Sequence, residues 1–321
     1  MVRVLLTGGA GFVGHHVAEA ILLNTDWHIT FLDRLDLSGN LRRIVEIQGW
    51  EIHKSRCSWE WHDLRASIKG LPWHDIFLHL GALTHVDRSI RDPLAAVYDN
   101  VVGTAHILEF ARQHCGRFLY FSTDEVFGPA APGVRYKEWD RYRSGNPYAA
   151  TKAGGEELAL AYHNTYAVPV IITHTMNIIG ERQHPEKFLP STIRKLQRGE
   201  LVRIHSDATR SVSGSRFYID AHDVAHAILF ILENGTPGDK YNIVGAEEIS
   251  NLDLAQRIAA AMGKELNYKM VDFHSARPGH DLRYALDGTK LEKLGWMPRL
   301  NIDRSIRRIV DWYQEHPNWL R

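Results

Sequence analysis

Thr7-Gly8-Gly9-Ala10-Gly11-Phe12-Val13-Gly14 follows directly on the apolar run Val2–Leu6 and opens a helical stretch, Phe12–Leu23. A glycine turn between a strand and a helix is how a dinucleotide-binding βαβ unit begins. Gly8 permits the tight turn, Gly11 lets backbone approach a pyrophosphate, and Gly14 lets the helix pack on the strand. The helix N-terminus then offers unpaired N–H groups and a positive dipole end to the anion. Glycine turns also serve purely backbone needs, so the context decides. Here it includes Asp33, an acid at the end of the second apolar run, His28–Leu32. Asp33 is placed to accept hydrogen bonds from the adenosine ribose and to repel a 2′-phosphate, which predicts NAD rather than NADP. Arg34 beside it leaves a phosphate contact open.

Outward from that turn, Ile76–Leu80, Arg117–Phe121 and Val170–Thr173 repeat the short apolar run, with helical stretches at Pro93–His114 and Pro147–Tyr166 between them. Strands apolar on both faces belong to a parallel sheet covered by helices. The expected fold is α/β, a Rossmann-type doubly wound parallel sheet over residues 1–175, with Trp50–His53 as a further strand. Beyond Thr175 helices are expected at Phe188–Gln197, Ala221–Glu233, Leu252–Met262 and Asn301–Glu315, and strands at Val202–Ile204 and Tyr241–Val244. These read as a smaller mixed α/β substrate lobe over 176–321, with segments of the two lobes able to interleave.

The 321 residues suffice for two lobes, and 38 basic against 38 acidic side chains give a formal net charge of zero. That removes the electrostatic case for nucleic acid or an acidic membrane as partner. Cys57 and Cys115 form neither a metal spacing nor a disulfide framework, and the histidines, His15, His16 and His79 among them, form no ligand cluster, so no metal is expected. The chain shows no signal peptide and no long apolar span, and a cytoplasmic location is expected.

Two groups of residues carry the chemistry. Tyr148 and Lys152 lie four apart on a helix that Asn146 can cap and Pro147 can start, so both side chains leave one face. A free tyrosine has a pKa of about 10. A nearby ammonium and a positive nicotinamide ring would favour phenolate and make Tyr148 a base for a substrate hydroxyl. Asp124 and Glu125 follow the strand ending at Phe121, at the carboxyl edge where open α/β sheets bind ligands. Adjacent carboxyls with unequal desolvation acquire different pKa values, one serving as acid and the other as base. Thr123 is placed to bond the hydroxyl that Tyr148 deprotonates. An oxidant, a tyrosine base and an acid/base pair together point to oxidation coupled to elimination.

With these residues go His85-Val86-Asp87-Arg88-Ser89-Ile90, Asn100-Val101-Val102-Gly103-Thr104, Ser122-Thr123-Asp124-Glu125-Val126-Phe127-Gly128, Pro185-Glu186-Lys187-Phe188-Leu189-Pro190 and Arg277-Pro278-Gly279-His280-Asp281. Over essentially its full length the chain resembles an extended short-chain dehydrogenase/reductase, and more narrowly the dTDP-glucose 4,6-dehydratases. The resemblance implies NAD held by Gly8, Gly11, Phe12, Val13, Gly14, Asp33, Arg34, Leu80, Ala82, Thr84, Asp99, Tyr148, Lys152 and Ile178. It makes Tyr148 the oxidising base, tuned by Lys152, with Thr123 beside it, Glu125 the C5 base and Asp124 the acid toward the C6 hydroxyl. A nucleotide-diphosphate hexose would be bound by Thr84, His85, Thr123, Asn177, Lys187, Phe188, Arg203, His205, Arg216, Asn251, Arg277 and His280. The product would be a 4-keto-6-deoxy sugar nucleotide, and the assembly a homodimer built on helices near Pro93–His114 and Pro147–Tyr166.

The chain departs from the family pattern at Leu83, where a glutamate is usual, and at Ile178 and Ala276, and the Asp-Ile pair expected after the third strand is missing from Lys54–Ser58. These departures leave thymine, uracil, cytosine and guanine open as the base. A 4-epimerase or decarboxylase of the same superfamily would share Tyr148 and Lys152 without needing Asp124 and Glu125. A non-catalytic dinucleotide sensor would need none of the four.

Overall fold

The computed structural model describes residues 1–36, 38–272 and 282–321. Its centre is a sheet of β1 (Arg3–Thr7), β2 (His28–Asp33), β3 (Cys57–Trp61), β4 (His74–His79), β5 (Cys115–Thr123), β6 (Val170–Thr175) and β7 (Lys240–Ile243). The seven strands are parallel, in the order β7-β6-β5-β4-β1-β2-β3. The two-residue alternation of a strand explains why these runs are apolar throughout. Val4 and Leu6 pack with Ile29 and Leu78 on one face, and Leu5 packs with Leu32 and Phe77 on the other. The first face is covered by α1 (Phe12–Asn24), through Val17 and Ile21, and by α5 (Ala221–Asn234), through Val224, Ile228 and Ile231. The second is covered by α2 (Gly103–His114) and α3 (Pro147–Tyr166), which bury Ile107, Leu108 and Ala159. The doubly wound α/β architecture read from the sequence is therefore present.

Three local expectations are corrected. Trp50–His53 is a helical turn, and the third strand is Cys57–Trp61 instead. That strand lies at the sheet edge with Ser58, Trp59, Glu60 and Trp61 exposed, so it lacks the apolar run that betrays a buried strand. The single helix expected over Pro93–His114 is a helix at Pro93–Val97, one widened π-type turn at Tyr98–Val102, and then α2. Such a turn re-aims the side chains that follow it. Finally, the strand expected near Tyr241–Val244 in the substrate lobe is β7, which pairs with β6 in the main sheet.

The second lobe packs α4 (Phe188–Arg198), α6 (Asn251–Ala261) and α7 (Ile302–Glu315) around Ile193, Leu196, Leu254, Ile258, Ile306 and Ile309. Its strand Val202–Ser206 pairs in parallel with Tyr268–Asp272. α4 ends on Gly199 in the left-handed region (φ 67°), which a glycine adopts without strain.

Between β5, β6, β7 and α3 lies a buried polar network. The Glu156 carboxylate, fully buried, accepts from Ser122 and Tyr142 and pairs with His174 at 3.0 Å. Lys240 Nζ stands 3.6 Å from it, and His174 Nδ1 meets Asn242 Oδ1 at 3.0 Å. Removing one partner of a buried ion pair strands the other charge. Glu156→Ala should therefore destabilise the protein by about 3–5 kcal/mol in denaturant titrations. A loss within the range of a surface substitution would show that Lys240 finds another partner.

Candidate active site

The sheet order reverses between β1 and β4, and a cleft opens at the carboxyl ends of these strands, as open α/β sheets require. At its floor Gly8 has φ 69°, and a Cβ there would stand 2.8 Å from the Gly81 backbone. A Cβ on Gly14 would stand 2.2 Å from the Gly8 carbonyl oxygen. Gly11, at the start of α1, has no side chain to cap the helix, so the first-turn N–H groups face the cleft unoccupied by a cap. Residues that forbid a side chain where backbone, strand and helix meet fit a dinucleotide pyrophosphate.

Asp33 closes β2 and accepts from the Ala10 N–H at 3.1 Å and the Leu35 N–H at 2.8 Å, which fixes its carboxylate at the cleft edge. Burial raises its pKa. Arg34 is held by both oxygens of Asp99 at 2.7 Å and by Asp36, with Asp63 at 3.4 Å. Three carboxylates around one guanidinium leave no net positive charge for a 2′-phosphate. The ambiguity that Arg34 creates in the sequence is thus resolved in favour of NAD. β3 ends at Trp61, and the His62-Asp63-Leu64 segment follows it, with His62 and Leu64 lining the cleft and Asp63 paired with Arg65.

The reacting groups converge from β5 and α3. Asn146 caps α3 by accepting from the Ala149 N–H at 2.9 Å, an interaction worth about 1 kcal/mol, and donates from Nδ2 to Glu125 Oε2 at 3.0 Å. Pro147 occupies the first turn, as the sequence suggests. The Tyr148 N–H donates to Ser89 Oγ at 3.0 Å, which seats the helix start against the short helix Val86–Arg91. Asn100 pins the loop after β4, accepting from the Leu83 N–H at 2.7 Å and donating to the Leu83 carbonyl at 3.1 Å and to Thr151 at 3.0 Å. Asn100 and Ser89 stand in motifs quoted above, but their bracing roles show only in three dimensions.

Burial first, and then the neighbouring Glu125, push the Asp124 carboxyl up to about 7, where it carries a proton for much of the time near neutrality. Its Oδ1 accepts from the Thr123 hydroxyl at 3.0 Å, while its buried Oδ2 has no partner among the described residues. Lys152, buried at the end of β5, donates to the Phe121 carbonyl at 2.8 Å, and burial brings it down to about 7 against the opposing pull of Glu156. Burial, then the charges of Glu125 and Asp124, raise the Tyr148 pKa despite an opposing contribution from Thr123.

The cleft gathers Gly8, Gly11, Phe12, Val13, Gly14, Asp33, Arg34, Leu80, Ala82, Thr84, Asp99 and Ile178 with Thr123, Asp124, Glu125 and Tyr148. His85, Asn177, Lys187 and Phe188 line it as well, joined by Arg88 and His184, which the sequence reading did not single out. His85 is brought down to about 3 by burial and by the charges of Lys187, Arg88 and His184, so this end of the cleft is cationic without its protonation. Arg203 and His205 lie outside the lining, on Val202–Ser206, and Asn251 is also outside it, accepting from the Tyr218 hydroxyl at 2.7 Å. Arg216 is buried beside the cleft, donates to the Ser215 and Leu282 carbonyls, and lowers Asp124 electrostatically. Arg277 and His280 fall outside the described residues.

Gly14→Ala would drive a methyl group into the Gly8 carbonyl. NAD affinity should fall at least tenfold, about 1.4 kcal/mol, by titration calorimetry. Unchanged affinity would mean that the glycine turn does not carry the cofactor.

The sequence profile of the family described as GDP-mannose 4,6 dehydratase matches residues 5–309. A dTDP-glucose 4,6-dehydratase of Streptomyces niveus is 35% identical, across 99% of this chain and 94% of its own. A trifunctional protein of Arabidopsis thaliana that includes UDP-glucose 4,6-dehydratase is also 35% identical, across 99% of this chain and 48% of its own. Among solved structures, DesIV, a dTDP-glucose 4,6-dehydratase from Streptomyces venezuelae crystallised with NAD, superposes with a TM-score of 0.91 at 32% identity, covering 99% of this chain and 98% of its own. A glycine cradle that fits NAD, an acid/base pair at the end of β5 and agreement along nearly the whole length place this chain in the sugar-nucleotide 4,6-dehydratase family of extended short-chain dehydrogenase/reductases.

Proposed function

We propose that this protein is an NAD-dependent sugar-nucleotide 4,6-dehydratase that converts dTDP-glucose to its 4-keto-6-deoxy product. The observation that carries the reading is the Asp124–Glu125 pair beside Tyr148: one carboxyl held near neutrality by burial, the other hydrogen-bonded by Asn146. NAD, which the glycine turn, Asp33 and Lys152 would hold, would supply a reversible hydride acceptor for C4 and C6 of the sugar. Tyr148 takes the proton of the C4 hydroxyl, with Thr123 beside it. A ketone at C4 acidifies the neighbouring C5–H, and Glu125 removes that proton. Asp124, protonated, gives its proton from Oδ2 to the departing C6 hydroxyl, which leaves as water. Glu125 then returns its proton to C5.

The second lobe takes the nucleotide diphosphate in this reading, with Lys187 offering charge to the phosphates, His184 a neutral ring, Arg88 reaching in from the first lobe, and Asn177 lining the cleft. The relatives named for dTDP-glucose and for UDP-glucose match this chain equally well by identity, so UDP-glucose is the second candidate. A 4-epimerase or decarboxylase has no use for a neutral acid beside a second carboxylate. The proposal includes a homodimer, supported by the exposed apolar residues Leu94, Val97 and Tyr98 on the helical segment before α2. It also includes a cytoplasmic location, in keeping with the unpaired Cys57 and Cys115.

Incubation with NAD and dTDP-, UDP-, CDP- or GDP-hexoses should give a product lighter by one water in mass spectra. Loss of carbon dioxide, or no mass change, would sink the reading. Glu125→Gln should lower turnover by about 100-fold or more yet leave the cofactor's reduced absorbance visible on mixing, whereas full turnover would reject its role as base. Asp124 acts as an acid below its pKa of about 7 and loses the proton above it, so the elimination rate should decline as pH rises through that value. A rate flat from pH 6 to 9 would remove Asp124 from the role.

A further inference from the structure

α1 and α5 cover the same face of the sheet, and His16 and Glu19 of α1 come to face His222 in the first turn of α5. His16 and Glu19 are three residues apart on a helix and so share a side of it, but no spacing in the sequence brings His222 to them. One potential ligand atom from each of the three lies within 4.8 Å of the other two. His16 is 1% exposed, and its Nε2 donates to the Glu181 carbonyl at 3.3 Å, which leaves Nδ1 as a bare lone pair. That atom is buried and has no partner among the described residues. It faces Glu19 Oε2 at 4.0 Å, although the lone pair and the carboxylate are both acceptors. Two buried acceptors turned toward each other call for a donor or a cation between them. Burial, and then the neighbouring His15 and His222, push His16 well below the usual histidine range, so its own proton does not fill that place.

We propose that His16, Glu19 and His222 form a binding site for one divalent ion of the zinc type, outside the residues that line the cleft. Two imidazoles and one carboxylate are a zinc donor set, with bonds of about 2.0–2.2 Å. Bonds of that length span the gap between Nδ1 and Oε2 with only small side-chain rotations. The outer partners that orient metal ligands are also in place. The second nitrogen of His16 is tied to a backbone carbonyl, and Glu19 Oε1 accepts from the Gln48 N–H at 2.8 Å. The His222 side chain is 42% exposed, which opens the site to an ion from solvent. The groups that oppose a cation here are Arg182 and Arg308. Arg308 Nη1 donates to His222 Nε2 at 3.2 Å, an arrangement that needs this nitrogen unprotonated as well. Arg308 is also paired with Glu181 and Asp220, and Arg182 with Glu46, so both keep carboxylate partners when an ion takes His222. The bound ion pins α1, whose start forms the glycine cradle, to the first turn of α5.

The test is calorimetric titration of the tag-free, NAD-loaded protein with Zn²⁺, repeated with Co²⁺ and read by its visible absorption. One equivalent of either ion should bind, and the cobalt spectrum should show the intense d–d bands of a four- or five-coordinate site. Glu19→Gln keeps an acceptor for the Gln48 N–H and removes the charged ligand, while His222→Ala removes a ligand open to solvent. Each should weaken binding at least tenfold. His184→Ala removes a member of the other histidine and carboxylate group, His85, His184 and Glu186 at the cleft, and should leave the affinity unchanged. Absence of stoichiometric binding would mean that water bridges His16 and Glu19, and it overturns the site. Affinity lost in His184→Ala and kept in Glu19→Gln and His222→Ala would put the ion at the cleft and overturn it equally. Neither result bears on the dehydratase reading, whose test is the product.

Discussion

The seating of α3 on the carboxyl end of β5 is the contact from which the rest of the site follows. Three successive residues of that strand each hold a different functional group. The Phe121 carbonyl takes the Lys152 ammonium, Ser122 donates to Glu156, and Thr123 donates to Asp124. A strand alternates its side chains, yet here backbone, buried face and cleft face are all used within three positions. α3 is fixed at its start by the Asn146 cap and by Ser89. The Glu156 network fixes it one turn beyond Lys152. A shift of α3 along β5 would break all of these contacts together.

Burial supplies the electrostatics. Asp124 and Lys152, an acid and a base by nature, are both brought to about 7 by desolvation, from opposite directions. Each costs stability as a charged group in the interior, and each gains a proton affinity useful near neutrality. Tyr148 is moved away from the phenolate by the same burial and by the carboxylates next to it. The protein alone is therefore poised as a neutral phenol next to a half-protonated acid.

The two ends of the cleft are built differently. At one, Asp33 is held by two backbone N–H groups and Arg34 is surrounded by Asp99, Asp36 and Asp63. At the other, Lys187 and Phe188 at the start of α4 reach the cleft while Arg203, His205 and Asn251 stand away from its lining. The motif frame assigns all of these to substrate, but only some share the cleft walls.

Local sequence determined the inner strands, the glycine turn and the Asn146-Pro147 helix start, because each is a pattern of nearest neighbours: apolar on both faces, Cβ-free at a close approach, capped at a free N–H. The same logic failed for Cys57–Trp61, whose exposed edge position needs no apolar run. Motifs likewise single out Thr123, Asp124, Glu125, Tyr148 and Lys152 as candidates, and the first four line one cleft. Only the tertiary structure decided the return of β7 to the main sheet, the neutralisation of Arg34 by Asp99 across 65 residues, and the bracing of Leu83 by Asn100 across 17. Those contacts join distant parts of the chain. The proton affinity of Asp124 depends on burial by the folded protein, which no neighbouring residue encodes.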